Sequence, residues 1–252
     1  MRKIALVTGA TAGIGKATAE ILAENGYNLI ITGRRKEQLN GLKSELGVKF
    51  KCDVLALSFD VRNRELTEKM IDGLPKSWQK INVLVNNAGL AAGLNPVQDG
   101  SVEDWEQMID TNIKGLLYVT RKVAPLMIGN GSGHIINITS IAAKEVYESG
   151  NVYCATKHAV DALTKGMRID LLKHNIRVTS VAPGMVDTEF SLVRFKGDRD
   201  RADKVYEGLV PLAAQDVAEA VWFAVSRPPH VNINDLLIMP TAQAAATIVN
   251  RK

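Results

Sequence analysis

Near its N-terminus the sequence runs Ile4-Ala5-Leu6-Val7 straight into Thr8-Gly9-Ala10-Thr11-Ala12-Gly13-Ile14-Gly15, and a helical pattern follows over residues 16–24. A short apolar strand, a glycine-rich turn and a helix in that order bring backbone N–H groups and the positive end of a helix to one point, where a phosphate can sit. The spacing is Gly-x-x-x-Gly-x-Gly rather than Gly-x-Gly-x-x-Gly, and glycine is also the default residue of any tight turn. The turn therefore constrains the fold more than it fixes a ligand. What it demands is a chain in which strands and helices alternate.

The remainder alternates in that way. Strands are expected at 28–32, 53–59, 81–85, 134–138, 176–182 and 236–239, and helices at 36–46, 63–73, 101–127, 151–173 and 215–226. This order predicts an α/β fold, a doubly wound (Rossmann) parallel sheet of about seven strands with helices on both faces. No repeat or linker interrupts it, so residues 1–252 are read as a single domain. The stretch from about 185 to 210, rich in Arg, Lys and Asp, is too long for a plain connection and is expected to be a substrate lid. Residues 241–252 form a tail. In the 101–127 helix Ser101 is the expected N-cap, with Asp104 three residues on. Asn112 stands inside that helix, where its propensity is poor, so it is expected either to be exposed or to bend the helix.

The strand ends carry the polar residues. After the second strand, where a ribose-binding carboxylate would stand, come Gly33-Arg34-Arg35 instead. Guanidinium groups suit a 2′-phosphate in charge and in bidentate geometry, which makes NADP the expected cofactor. Asp60 and Val61 follow the third strand, toward an adenine edge, and Asn86-Asn87-Ala88-Gly89 follow the fourth, at the sheet edge where open α/β folds bind ligands. Tyr153 and Lys157 stand four residues apart at the start of a helix and so share one face. A phenol with an ordinary pKa near 10 needs about 4 kcal/mol of help to ionise near neutrality, and a fixed cation supplies part of it. Such a pair is also common on helix surfaces. Ser140 precedes Tyr153 by thirteen residues and can reach it through a loop of about ten.

Composition sets outer bounds. Cys52 and Cys154 sit in unrelated contexts without a CxxC, as in a reducing compartment, so a cytoplasmic location is expected. No run approaches the roughly 18 apolar residues of a membrane span, and the N-terminal apolar run is too short for a signal peptide. The net charge of +4 is scattered and aromatics make up only 5%, which argues against nucleic acid and fits a small anionic ligand. His134, His158, His174 and His230 show no metal-ligand spacing, and no metal is expected.

Together Thr8-Gly9-x-x-x-Gly13-Ile14-Gly15, Asn86-Asn87-Ala88-Gly89, Asn112, Ser140, Tyr153-x-x-x-Lys157 and Pro183-Gly184 resemble the short-chain dehydrogenase/reductases over essentially the whole chain. The resemblance implies hydride transfer between a nicotinamide and a carbonyl or alcohol. Tyr153 would be the acid/base, Lys157 would hold the nicotinamide ribose and depress the tyrosine pKa, Ser140 would orient the substrate oxygen, and Asn112 would keep a water in a proton relay. Cofactor contacts are implied at Thr8, Gly9, Thr11, Gly13, Ile14, Gly15, Arg34, Arg35, Asp60, Val61, Asn87, Ala88, Gly89, Tyr153, Lys157, Pro183, Gly184, Val186 and Thr188, and a homotetramer is the usual assembly. Thr32-Gly33-Arg34-Arg35, Asp60-Val61-Arg62-Asn63, Gly150-Asn151-Val152-Tyr153 and Val193-Arg194-Phe195-Lys196-Gly197-Asp198 further resemble the NADP-dependent 3-hydroxy acid dehydrogenases of that family, which also oxidise L-serine and L-allo-threonine. A carboxylate substrate needs a cation, and Arg194, with Lys196 beside it, is the candidate; Ser140 and Tyr153 would face the same substrate. Lys144 and Glu145 are expected to bring charge beside the serine and to alter substrate range. Two other readings stand beside this one: a broad NADPH-dependent carbonyl reductase, and a dinucleotide-binding sensor without turnover.

Overall fold

A computed structural model describes residues 2–252. Its centre is a parallel sheet of β1 (Ile4–Val7), β2 (Asn28–Gly33), β3 (Val54–Ser58), β4 (Ile81–Asn86), β5 (Gly133–Ile138), β6 (Ile176–Pro183) and β9 (Asp235–Ile238), in the order β3-β2-β1-β4-β5-β6-β9. β1 pairs with β2 from Ile4 opposite Asn28 and with β4 from Ile4 opposite Ile81. Because all seven strands run the same way, every strand C-terminus opens on one edge. The winding direction reverses between β1 and β4, and the crevice of such a fold lies there.

Both faces of the sheet are covered, which is why the central strands are apolar without alternation. Successive side chains still separate by face. Ala5 and Val7 join the core under α1 (Gly13–Glu24), α2 (Lys36–Phe50) and α9 (Ala214–Val225), whereas Leu6, Leu84 and Ile135 join Val119, Val123 and Met127 on the other side. Each fully buried leucine or isoleucine of this kind contributes about 1.5–3 kcal/mol. α9 presents Val217, Val221 and Val225 to the sheet, and its Trp222 meets Tyr27, just past α1, edge-on with ring centroids 6.4 Å apart. The second layer holds α3 (Arg64–Asp72), α5 (Leu116–Gly129) and α6 (Asn151–Asp170).

The uninterrupted helix expected at 101–127 is broken. α4 (Val102–Ile109), capped by Ser101 accepting from the Asp104 amide at 3.2 Å, passes into a π-helical turn at Asp110–Gly115 before α5. Asn112 lies in that turn and is buried, with its side chain bonded to the Leu90 backbone at both ends. A wider turn swings the residue inward, and such turns gather at functional sites.

Residues 185–210 are more structured than a plain loop. β7 (Val186–Asp187) and β8 (Leu212–Ala213) pair in parallel and bracket α7 (Glu189–Arg194) and α8 (Arg199–Lys204). The tail folds back onto this segment of its own chain. Arg251 donates to the carbonyls of Val205, at 3.1 Å, and Glu207, and the Lys252 amide donates to Gly208 at 2.9 Å. No helix among the described residues is long and apolar enough to cross a membrane.

Candidate active site

The strand ends enclose a cavity of about 600 Å³ that runs from Arg34 and Arg35 past the β1 turn to Ser140, Tyr153 and Arg194. That volume is in the range of small-molecule sites. Gly9, Thr11, Gly13 and Ile14 line it, as do Asp60, Val61, Asn87, Ala88, Gly89, Lys157, Pro183, Gly184, Val186 and Thr188.

Three expected residues act from behind its wall. Thr8 Oγ1 accepts from the amides of Asn87 and Ala88, both at 3.0 Å, and Asn87 Nδ2 donates to the carbonyls of Thr8 and Gly9 at 2.9 and 3.1 Å. These bonds sew the β1 turn to the end of β4. Gly15 lets them form: a Cβ there would fall 2.3 Å from the Gly9 carbonyl oxygen and 2.4 Å from Asn87 Nδ2. Neither Thr8 nor Gly15 lines the cavity, and both support the turn that does. Asn112 is likewise set back. Its Oδ1 accepts from the Leu90 amide at 2.9 Å, while Nδ2 donates to the Leu90 carbonyl at 2.8 Å and to Thr156 Oγ1 at 3.0 Å. It ties the β4 loop to the helix that carries Tyr153 and Lys157. A Cβ on Gly89 would sit 3.2 Å from Asn112 Oδ1 and 3.6 Å from Lys157 Nζ, so glycine keeps that approach open.

Lys157 is buried with its ammonium donating to the Ile138 carbonyl at 2.9 Å and lying 5.9 Å from the Tyr153 ring centre. Burial lowers its pKa to about 8. Tyr153 is also buried, and desolvation pushes its phenol well above the usual range, reinforced by Tyr147 and opposed by the hydrogen bond with Ser140 and by the charge of Arg194. Burial of the phenol thus acts against the depression that the resemblance implies for Tyr153. Burial acts on the phenolate more strongly than any cation beside it. Ser140 Oγ accepts from the Ala142 amide at 3.1 Å. His158 turns away, with Nδ1 2.9 Å from the Cys154 carbonyl.

At the other end, Arg35 donates to Thr11 Oγ1 through Nη2 at 2.9 Å and pairs with Glu189 at 2.8 Å. Arg34 makes no side-chain hydrogen bond among the described residues. Asp60 is engaged by Arg62 at 2.7 Å; although burial acts upward, the Arg62 bonds and the Arg34 charge hold its carboxyl below the ordinary range. α1 begins at Gly13 with no side-chain cap and no acidic residue in its first turn, which leaves its amide donors open to the cavity. Uncapped amides at one point and an uncommitted guanidinium at another fit a dinucleotide bearing a 2′-phosphate.

On the substrate side, Arg194 lies 5.5 Å from the Tyr147 ring centre and 5.7 Å from that of Tyr153. Its Nε donates to the Gly93 carbonyl at 3.2 Å, and its buried Nη2 has no partner among the described residues. Lys196 does not join it. That ammonium pairs with Asp104 at 2.9 Å, outside the cavity. Nor do Lys144 and Glu145 charge the serine's surroundings. Lys144 is drawn off to Asp161, at 2.6 Å, and Asp235, and Glu145 accepts from the Ala246 amide at 2.7 Å. Tyr147, Glu148, Phe190 and Gln243 also line the cavity, without having been singled out in the sequence. Gln243 is buried and accepts from the Met185 amide at 2.9 Å. Nothing in the tail's composition announces this contact, whereas Tyr147 lies in the short span between Ser140 and Tyr153.

The short chain dehydrogenase family profile matches residues 3–198. The chain belongs to the short-chain dehydrogenase family. It is 52% identical over 244 residues to the NADP-dependent 3-hydroxy acid dehydrogenase of Salmonella typhi, covering 96% of this chain and 97% of that one. It is 45% identical over 245 residues to sulfoacetaldehyde reductase 2 of Chromohalobacter salexigens, covering 97% and 96%. Among solved structures, the closed form of serine dehydrogenase complexed with NADP+ superposes with a TM-score of 0.93 at 49% identity, covering 99% of this chain and 100% of that one. The oxidoreductase class and the Rossmann sheet expected from the motifs agree with these matches. No group of three or more His, Cys, Asp or Glu among the described residues could hold a metal.

Proposed function

We propose that this short-chain dehydrogenase is NADP-dependent and interconverts a short 3-hydroxy acid and its 3-oxo acid, as a cytoplasmic homotetramer of single-domain chains. The single observation that carries the substrate class is Arg194, which lines the cavity beside the Tyr153 ring and whose buried Nη2 has no partner among the described residues. A buried guanidinium donor left unsatisfied is costly, and a carboxylate is its natural complement. The names of the relatives agree, since both a 3-hydroxy acid and sulfoacetaldehyde are small and anionic.

When bound, NADP supplies or accepts the hydride at the substrate's hydroxyl carbon. Arg34 and Arg35 would hold its 2′-phosphate, and the β1 turn its pyrophosphate. Tyr153, kept as a neutral phenol by burial, is in the correct state to give its proton to a carbonyl oxygen as negative charge builds there; positioned donors of this kind are worth about 10²- to 10⁴-fold. Ser140 holds the same oxygen. Lys157 stabilises the phenolate left behind, and in the alcohol-oxidising direction that phenolate is the base. Asn112 is a positioning residue, because its bonds to Leu90 and Thr156 set where Lys157 and Tyr153 stand. Residues 185–210 and the tail exclude water from above.

The test follows cofactor reduction with 3-hydroxypropionate, L-serine, L-allo-threonine and a neutral secondary alcohol. Truncating one partner of a desolvated charge pair costs about 2–5 kcal/mol, so Arg194→Ala is expected to raise KM for the acids about 30-fold or more and to leave the neutral alcohol unchanged. Equal losses on both, or no turnover of any acid, would instead favour a carbonyl reductase of neutral substrates.

A further inference from the structure

Arg35 is not idle in this structure. Its Nη1 meets Glu189 Oε2 at 2.8 Å, and Nε and Nη2 both donate to Thr11 Oγ1, at 3.2 and 2.9 Å. Glu189 is the first residue of α7, and its place is fixed from two sides. Thr188 caps the helix by accepting from the Phe190 amide at 3.3 Å, and the Thr188 side chain packs over Gly13 of the phosphate turn. Five residues on, the same helix ends in Arg194, held at Gly93 by bonds from its side chain and to its carbonyl. At 1.5 Å per residue the two ends lie about 7.5 Å apart along the helix. One short helix therefore carries an anion at the adenosine end of the cavity and a cation at the substrate end.

We propose that Glu189 competes with the cofactor's 2′-phosphate for Arg35, and so sets how strongly this site prefers phosphorylated over unphosphorylated adenosine. A carboxylate and a phosphate monoester are alternative partners for the same guanidinium edge, and they repel each other when brought together. When the 2′-phosphate takes Arg35, Glu189 is released and the N-terminal end of α7 loses one of its ties, while Arg194 keeps the other end in place. Both side chains are largely exposed, at 41% and 54%, so the pair is a weak competitor that a dianion displaces and not a permanent bar. The inference rests on the reading of Arg35 as a phosphate holder, and the test separates the two.

The probes are 2′,5′-ADP, which bears the 2′-phosphate without a nicotinamide, and 5′-AMP, which lacks it. By calorimetry, Glu189→Gln is expected to tighten 2′,5′-ADP about two- to fivefold, the range for an exposed ion pair, and to leave 5′-AMP unchanged. In an Arg35→Ala background the same substitution is expected to have no effect. Amide hydrogen exchange in α7 of the wild type is expected to rise when 2′,5′-ADP binds, and in Glu189→Gln to be raised beforehand and unresponsive. An unchanged affinity, an equal gain for 5′-AMP, or a gain that persists without Arg35 overturns the competition. Wild-type 2′,5′-ADP affinity in Arg35→Ala alone overturns the phosphate reading beneath it.

Discussion

Replacing Lys157 by methionine is expected to make the folded chain more stable while removing its activity. The ammonium is buried, and the drop of its pKa from the ordinary 10.5 to about 8 corresponds to about 3 kcal/mol of penalty on the charged form at neutral pH. Methionine has nearly the length of the lysine stem and needs no water. Against that gain stands the Ile138 carbonyl, which loses the donor at 2.9 Å and costs about 1–3 kcal/mol if left unpaired. The net expectation is a gain of about 1 kcal/mol at neutral pH. Its pH dependence is the sharper signature. Between about pH 8 and 10.5 the unfolded chain still holds the lysine proton and the folded chain has released it, so wild-type stability climbs with pH across that window. Below about pH 8 both states are protonated and the penalty stands in full; above 10.5 neither is, and it has vanished. The methionine variant lacks this climb, so its advantage should be greatest at neutral pH and fade through the window. Urea unfolding of both proteins at matched concentration, across a pH series, measures it. A variant that is less stable than wild type at neutral pH, or an advantage that does not shrink as pH rises, refutes the claim that Lys157 is held against its own solvation.

Gly15→Ala forces a Cβ to within 2.3 Å of the Gly9 carbonyl oxygen and is expected to lower stability by about 1–3 kcal/mol, read as a fall in Tm and as weakened 2′,5′-ADP binding. Tyr153→Phe is expected to reduce turnover about 10²- to 10⁴-fold in steady-state assays while 2′,5′-ADP affinity stays at the wild-type value; wild-type kcat in this variant would move the proton donor elsewhere. Because burial raises the Tyr153 pKa, alcohol oxidation by the wild type is expected to rise with pH through the alkaline range while carbonyl reduction shows no loss there, measured as kcat profiles in the two directions.

The glycine turn, the apolar strands and the polar strand ends were all legible in the sequence, because in a parallel sheet burial on both faces leaves local signals. Tyr153 and Lys157 were readable for a similar reason, since helix geometry fixes residues four apart. Arg194 and Lys196 are candidates through the resemblance of residues 193–198 and the need of a carboxylate for a cation, but Lys196 turns to Asp104, because charge alone does not say which way a side chain points. Lys144 and Glu145 misled in the same manner. Their partners, Asp161, Asp235 and the Ala246 amide, lie 17 or more residues away.

From the order of its residues alone, then, this chain determined its layered fold, the sheet edge that gathers the polar strand ends and the side chains available for chemistry there. Tertiary structure decided which of those side chains face the cavity and which hold it up: Thr8, Gly15 and Asn112 fell behind the wall, the tail came to cover it, and Glu189 came to rest on Arg35. It also decided protonation, since the pKa of Tyr153 and Lys157 follows from how completely each is withdrawn from water. Both outcomes depend on contacts between distant segments and on burial, and neither leaves a periodic mark along the chain.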